Sequence, residues 1–171
     1  MRSSRLAFDS GEADEPSIAA ALTRGGIEHD VTRGELQALL RGLADALPAA
    51  ASDGASRATG MLSGDGLDDA VVQDGIAILG LERPILLPAV ESMLRLMFLA
   101  TPLAVGDGRR PIDTLFLILS PNDAGHAALR SKLTSLLDSA EFRDRLAGRM
   151  PAHELLAYVR ERESTSTVAT W

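Results

Sequence analysis

Apolar and polar positions change period several times along the chain, and each change predicts an element. Pro16–Thr23 reads as a short helix closed by Gly25-Gly26, and Ile27–Val31 as a strand. Thr32 and Glu35 stand at capping-box spacing, in which the hydroxyl accepts the third amide of a helix while the carboxylate reaches back to the cap amide. Behind them Leu36, Leu39, Leu40, Leu43, Ala44 and Leu47 form one stripe of an amphipathic helix that Pro48 ends. Ala49–Gly66 is rich in Ala, Ser and Gly, carries no apolar face and reads as a long mobile loop.

The pattern then shortens. Gly75–Ile78 is a brief apolar strand, and Val90–Leu99 a second one with Ser92, Leu94, Leu96 and Phe98 on one face. Thr101–Pro111 turns through Gly106-Asp-Gly108. Ile112–Leu119 is almost uninterrupted apolar sequence, as in a strand covered on both faces. Asn122 or Asp123 caps the next helix, whose buried side is Leu129, Leu133, Leu136 and Leu137. Asp138 and Glu141 start another helix with Phe142 and Leu146 inside, and Pro151 opens the last, with Leu155, Leu156 and Val159. This order of elements predicts an α/β fold, a mixed β-sheet flanked by helices on both faces. Residues 1–15 are expected to be a disordered N-terminus, 16–163 a single domain and 164–171 a disordered tail.

Composition narrows the chemistry. With 171 residues, 46% hydrophobic and only 4% aromatic, the core is aliphatic. The chain has no cysteine, so disulfides, thiol catalysis and thiolate metal sites are excluded. The net charge is −7, with the acid excess confined to residues 1–75. Such a surface repels phosphate backbones, so nucleic acid is not an expected partner. No secretion signal stands at the start, and the most apolar window, Ile85–Val105, is broken by Pro88, Glu91, Arg95 and Pro102. No membrane insertion and a cytoplasmic location are therefore expected.

The three histidines have no metal-ligand spacing. His29 lies within a strand and His153 in the first turn of the last helix; both read as structural or solvated residues. His126 lies about one turn inside a helix and heads the Leu129–Leu133 stripe. It is open to two readings, a packed core histidine or a group beside helix amides that favour an anion. Asp65, Asp68, Asp69 and Asp74 lack the alternate-oxygen spacing of a calcium loop and read as a solvated acidic face. No metal or cofactor is expected.

Gly75-Ile-Ala-Ile78, followed after a crossing segment by Asp107-Gly-Arg-Arg-Pro-Ile-Asp-Thr-Leu-Phe-Leu-Ile-Leu-Ser-Pro121, resembles the type 2 enzyme IIA domain of bacterial sugar phosphotransferase systems. That family includes mannitol, fructose and nitrogen-regulatory members. Its pattern runs Gly-x-Ala-Ile-Pro-His, then Asp-Gly-x-Pro-Val-x-x-Leu-Phe-Leu-Leu-x-x-Pro, then a helix beginning near a second histidine. His126 falls where that second histidine belongs, and Glu141-Phe142-Arg143 is similar to the family's continuation. The resemblance spans roughly Ser17 to Arg160.

The resemblance implies a phosphoryl relay, in which one imidazole accepts phosphate and hands it on while a second histidine and an arginine stabilise the transferring charge. This chain departs from the pattern at the acceptor. Leu79 stands where the family has Pro, and Gly80 where it has the phospho-accepting His. Arg83 lies one position off the family's arginine. The expectation is a degenerate domain, not an enzyme, that binds a protein partner, with His126 and Arg83 as candidates for holding a small anion. The alternative is an active phosphocarrier using His126 as acceptor.

Overall fold

The structure is a computed structural model that describes residues 16–46, 60, 71–73, 75–79, 85–86, 91–105 and 109–168. Along the chain these form α1 (Ile18–Gly25), β1 (Ile27–Val31), α2 (Arg33–Ala46), β2 (Val71–Gln73), β3 (Ile76–Leu79), β4 (Ile85–Leu86), β5 (Met93–Leu103), β6 (Ile112–Ser120), α3 (Asp123–Leu137), α4 (Ala140–Ala147) and α5 (Ala152–Val168). The strands make one mixed six-stranded sheet of order β1-β5-β6-β3-β2, with β4 also paired to β6. β1 runs parallel to β5, β5 antiparallel to β6, and β3 and β4 both parallel to β6.

The apolar run in β6 is explained by its place at the centre of the sheet. Side chains from Leu115 to Leu119 alternate between two cores. Leu115, Leu117 and Leu119 join Val31, Met97 and Leu79 beneath Leu36 and Leu40 of α2. Phe116 and Ile118 join Leu94, Leu96 and Phe98 of β5 beneath α1, α3, α4 and α5. Helices therefore cover both faces, and each buried Leu, Ile or Phe contributes about 1.5–3 kcal/mol of transfer free energy. The expected α/β architecture is the observed one.

α1 seats directly on β5. A Cβ on Gly25 would lie 2.9 Å from the Arg95 amide nitrogen and closer still to the Leu94 carbonyl, so only glycine allows this approach. Ser17 caps α1, its hydroxyl accepting from the Ala20 amide at 3.1 Å. The Thr32–Glu35 capping box forms as the spacing predicts: Glu35 N donates to Thr32 Oγ1 at 3.2 Å, and Thr32 N to Glu35 Oε2 at 2.8 Å.

Several boundaries differ from the sequence reading. β5 begins at Met93 instead of Val90 and continues to Leu103, through residues expected to turn. The ladder allows this because Phe98 pairs with Thr114 and Leu103 with Ile112, an irregular stretch that accommodates Pro102 without a missing ladder donor. Gly75 lies in the turn before β3, with φ of 80°, and is not part of the strand. β2 and β4 were too short to show a period. The cap of α4 is Ser139, not Asp138: Asp138 still has helical dihedrals and ends α3, whereas Ser139 is extended and accepts from Phe142 N.

The expected disordered tail is helical through Val168. Ser164 Oγ donates to the Arg160 carbonyl and Thr165 Oγ1 to that of Glu161, both at 2.9 Å, so these polar side chains bond back onto their own helix. The expected N-terminal disorder at 1–15 and the loop Ala49–Gly66, Gly60 apart, lie outside the described residues.

Candidate functional site

β3, β4 and β6 are parallel, so their carboxyl ends share one side of the sheet, the usual location of a crevice in α/β folds. Leu79 pairs with Leu117, and Ile85 with Leu119. Six steps of sequence on one side thus match two steps along β6. β3 and β4 share one edge of β6, with β4 beside the point where β6 leads to α3.

The start of α3 is built by short polar side chains. Asn122, in extended conformation, accepts from Gly125 N at 2.7 Å and satisfies one of the free first-turn amides. The next amide, of His126, donates to the Asn122 carbonyl at 3.1 Å. Behind the cap, Ser120 Oγ donates to Ser92 Oγ at 3.1 Å, a buried bond joining the end of β6 to the residue before β5. A Cβ on Gly125 would come within 2.9 Å of Ser92 Oγ, so a glycine is what lets the helix start close over this pair. Arg24 of α1 ties the same corner from outside, with Nε donating to the Ser92 carbonyl at 2.9 Å and Nη1 3.3 Å from Glu91.

His126 follows directly and is only 4% exposed. It heads the buried side of α3, in line with Leu129, Leu133 and Leu137, as the sequence stripe implies. Leu136 is only partly buried. The placement puts the imidazole against the helical core, not on the surface. Gly80 and Arg83 lie outside the described residues, as do Asp65, Asp68, Asp69, Asp74 and Gly106–Gly108.

The other histidines are elsewhere. His29 is exposed on β1, where its ring sits 4.8 Å from that of Phe98 and Nε2 donates to the Met150 carbonyl at 3.0 Å. His153 projects from the first turn of α5, 3.9 Å from Glu154. No group of three His, Asp or Glu side chains among the described residues could hold a metal ion. The Ser92–Ser120 bond and the Gly125 contact have no local signature in the sequence, because each pairs distant positions.

No helix among the described residues is long and apolar enough to cross a membrane. No family profile and no curated protein matches the chain. Its fold is similar to the crystal structure of a candidate PTS IIA domain from Streptococcus pyogenes M1 GAS, with a TM-score of 0.60 and 19% identity, over 86% of this chain and 97% of that one. At this identity the likeness is one of fold.

Proposed function

We propose that this chain is a type 2 enzyme IIA-like module that no longer transfers phosphoryl groups and acts in the cytoplasm by binding a protein partner. The fold likeness supports the family, and the sequence pattern around Gly75–Ile78 and Pro121–His126 supports the type. The observation that carries the loss of transfer is the burial of His126 at 4% exposure. A relay histidine must be reached in turn by a donor's phosphohistidine and by a recipient protein, and a side chain packed at the head of a core stripe is not presented to either. Gly80, aligned with the acceptor position, offers no nucleophile at all.

By the family pattern in the sequence, His126 and Arg83 are then remnants of charge-stabilising groups. The first-turn amides of α3 favour a small anion nearby, while Asp123 in the same turn opposes one. The test is incubation with phosphoenolpyruvate and the general phosphotransfer proteins, followed by intact mass measurement. The expected spectrum shows the unmodified chain. An acid-labile, stoichiometric phosphoryl adduct that His126→Ala removes would overturn the proposal and establish an active phosphocarrier.

A further inference from the structure

The turn between α4 and α5 is fastened to the sheet through one side chain. Among the described residues only two that are not glycine have positive φ, Asp30 of β1 at 55° and Arg149 of that turn at 50°. The two are partners: Arg149 Nη1 lies 3.5 Å from the Asp30 carboxylate, although 119 positions separate them. Arg149 Nη2 donates to the Leu99 carbonyl of β5 at 2.7 Å. The neighbouring Met150 carbonyl accepts from His29 Nε2 of β1 at 3.0 Å.

Both acceptors of that guanidinium lie where a strand departs from its ladder. Glu28 pairs with Met97 and Val31 with Leu99, so three steps of β1 face two of β5, and Asp30 lies in the longer stretch. Phe98 pairs with Thr114 and Leu103 with Ile112, so five steps of β5 face two of β6, starting at Leu99. Past this second irregularity the strand's apolar residues change sides. Phe98 belongs to the core beneath α1, α3, α4 and α5, whereas Leu103, Val105 and Ile112 belong to the core beneath α2. Arg149 thus reaches from the helices on one face to hold an outer arm, residues 99–105 with Ile112, whose apolar side chains pack on the other.

We infer that Arg149 is the pin of a conformational joint. While it bridges the two irregularities the arm is docked; when it withdraws, the arm opens as a unit and the rest of the sheet stays folded. A left-handed φ costs an arginine free energy, so the docked turn persists only while its bonds hold. Those bonds are within reach of water, since the Arg149 side chain is 36% and that of Asp30 83% exposed. The arm itself is lightly held: Ala100, Thr101, Pro102 and Ala104 are exposed, and Leu103 and Val105 are the most exposed members of their core. Whatever moves the α4–α5 turn therefore loosens the margin of the core on the opposite face, whether or not the domain transfers phosphate.

The chain has no cysteine, so a single introduced thiol reports opening by its reaction with a disulfide reagent. Ile112→Cys places the thiol in the arm and Leu117→Cys in the middle of β6; both positions are fully buried in the same core. In the full chain under native conditions, the Ile112→Cys thiol is expected to react about tenfold or more faster than the Leu117→Cys thiol, with a weaker dependence on urea, because local opening reaches it. Adding Arg149→Asn, in which asparagine tolerates the left-handed turn but lacks the fork, should speed the Ile112→Cys reaction about tenfold again. Equal rates at the two positions overturn the inference, since the arm then opens only with the whole fold. So does an Ile112→Cys rate that Arg149→Asn leaves unchanged, since the arm then opens without the pin. If circular dichroism shows Arg149→Asn unfolded, Arg149→Lys takes its place: lysine keeps the charge and cannot bridge two acceptors as the planar fork does, and the same two outcomes decide.

Discussion

Glu163, near the end of the last helix, accepts the hydroxyl of Ser17, the cap of the first helix, at 2.8 Å across 146 positions of sequence. The same carboxylate accepts the Ile18 amide at 2.5 Å and the Ala19 amide at 3.3 Å. α1 thus begins on a negative charge supplied by α5, where its free amides and its dipole favour one.

Glu163→Ala is expected to destabilise the fold by about 1–3 kcal/mol, the range for hydrogen bonds to a charged group together with the amides left unpaired. Urea unfolding followed by circular dichroism measures it. Glu163→Gln, which keeps an acceptor and loses the charge, should fall between that variant and the wild type.

Gly25→Ala sets a Cβ against the backbone of Leu94 and Arg95, which cannot rotate away. The expected loss is about 1–3 kcal/mol or more, typical of overpacking. Gly42→Ala is the matched control, since Gly42 lies in the interior of α2 and nothing lies within 4 Å of the added Cβ. It should raise stability by about 0.5–1 kcal/mol through helix propensity. Thermal melts of the pair should move in opposite directions.

The Glu35 carboxyl lies below its ordinary pKa because the Thr32 amide and hydroxyl bond its ionised form. A lowered folded pKa means that its contribution is full above the unfolded value and lost as pH falls through the folded one. The melting-temperature gap between wild type and Glu35→Gln should therefore be widest near neutrality and close at acid pH. A gap that grows on acidification would contradict the capping box.

His126→Ala removes a buried ring from the head of the α3 stripe and should cost about 1–3 kcal/mol, as other buried truncations do. Urea unfolding followed by circular dichroism measures it, and an unchanged midpoint would contradict the packed placement of the ring.

Much of the fold was legible because β6 is buried on both sides and α2 and α3 carry their stripes and caps in adjacent residues. The Thr32–Glu35 and Asn122–Gly125 caps are local chemistry, three residues apart, and a reader of sequence meets both partners together. What was hidden depends on partners far away. The polar residues Ser164 and Thr165 look like a loose end until Glu163 is seen fastened to α1. The entrance of α3 is mixed: the Leu129–Leu133 stripe places His126 on the buried side, but the Ser92–Ser120 bond follows from how β5 and β6 align. The extra residue of β1 between Glu28 and Val31 has no signature either, since it is a matter of register against Met97 and Leu99 of β5.

From Leu115 to Leu119, whether a residue number of β6 is odd or even decides which core it enters. The strand is therefore a partition with two addresses. An isotopically labelled methyl at Leu117 reports on what settles against α2, and one at Ile118 on the helices opposite, although the two residues are neighbours in the chain. A partner that touches one side can thus be located by which of two adjacent signals moves.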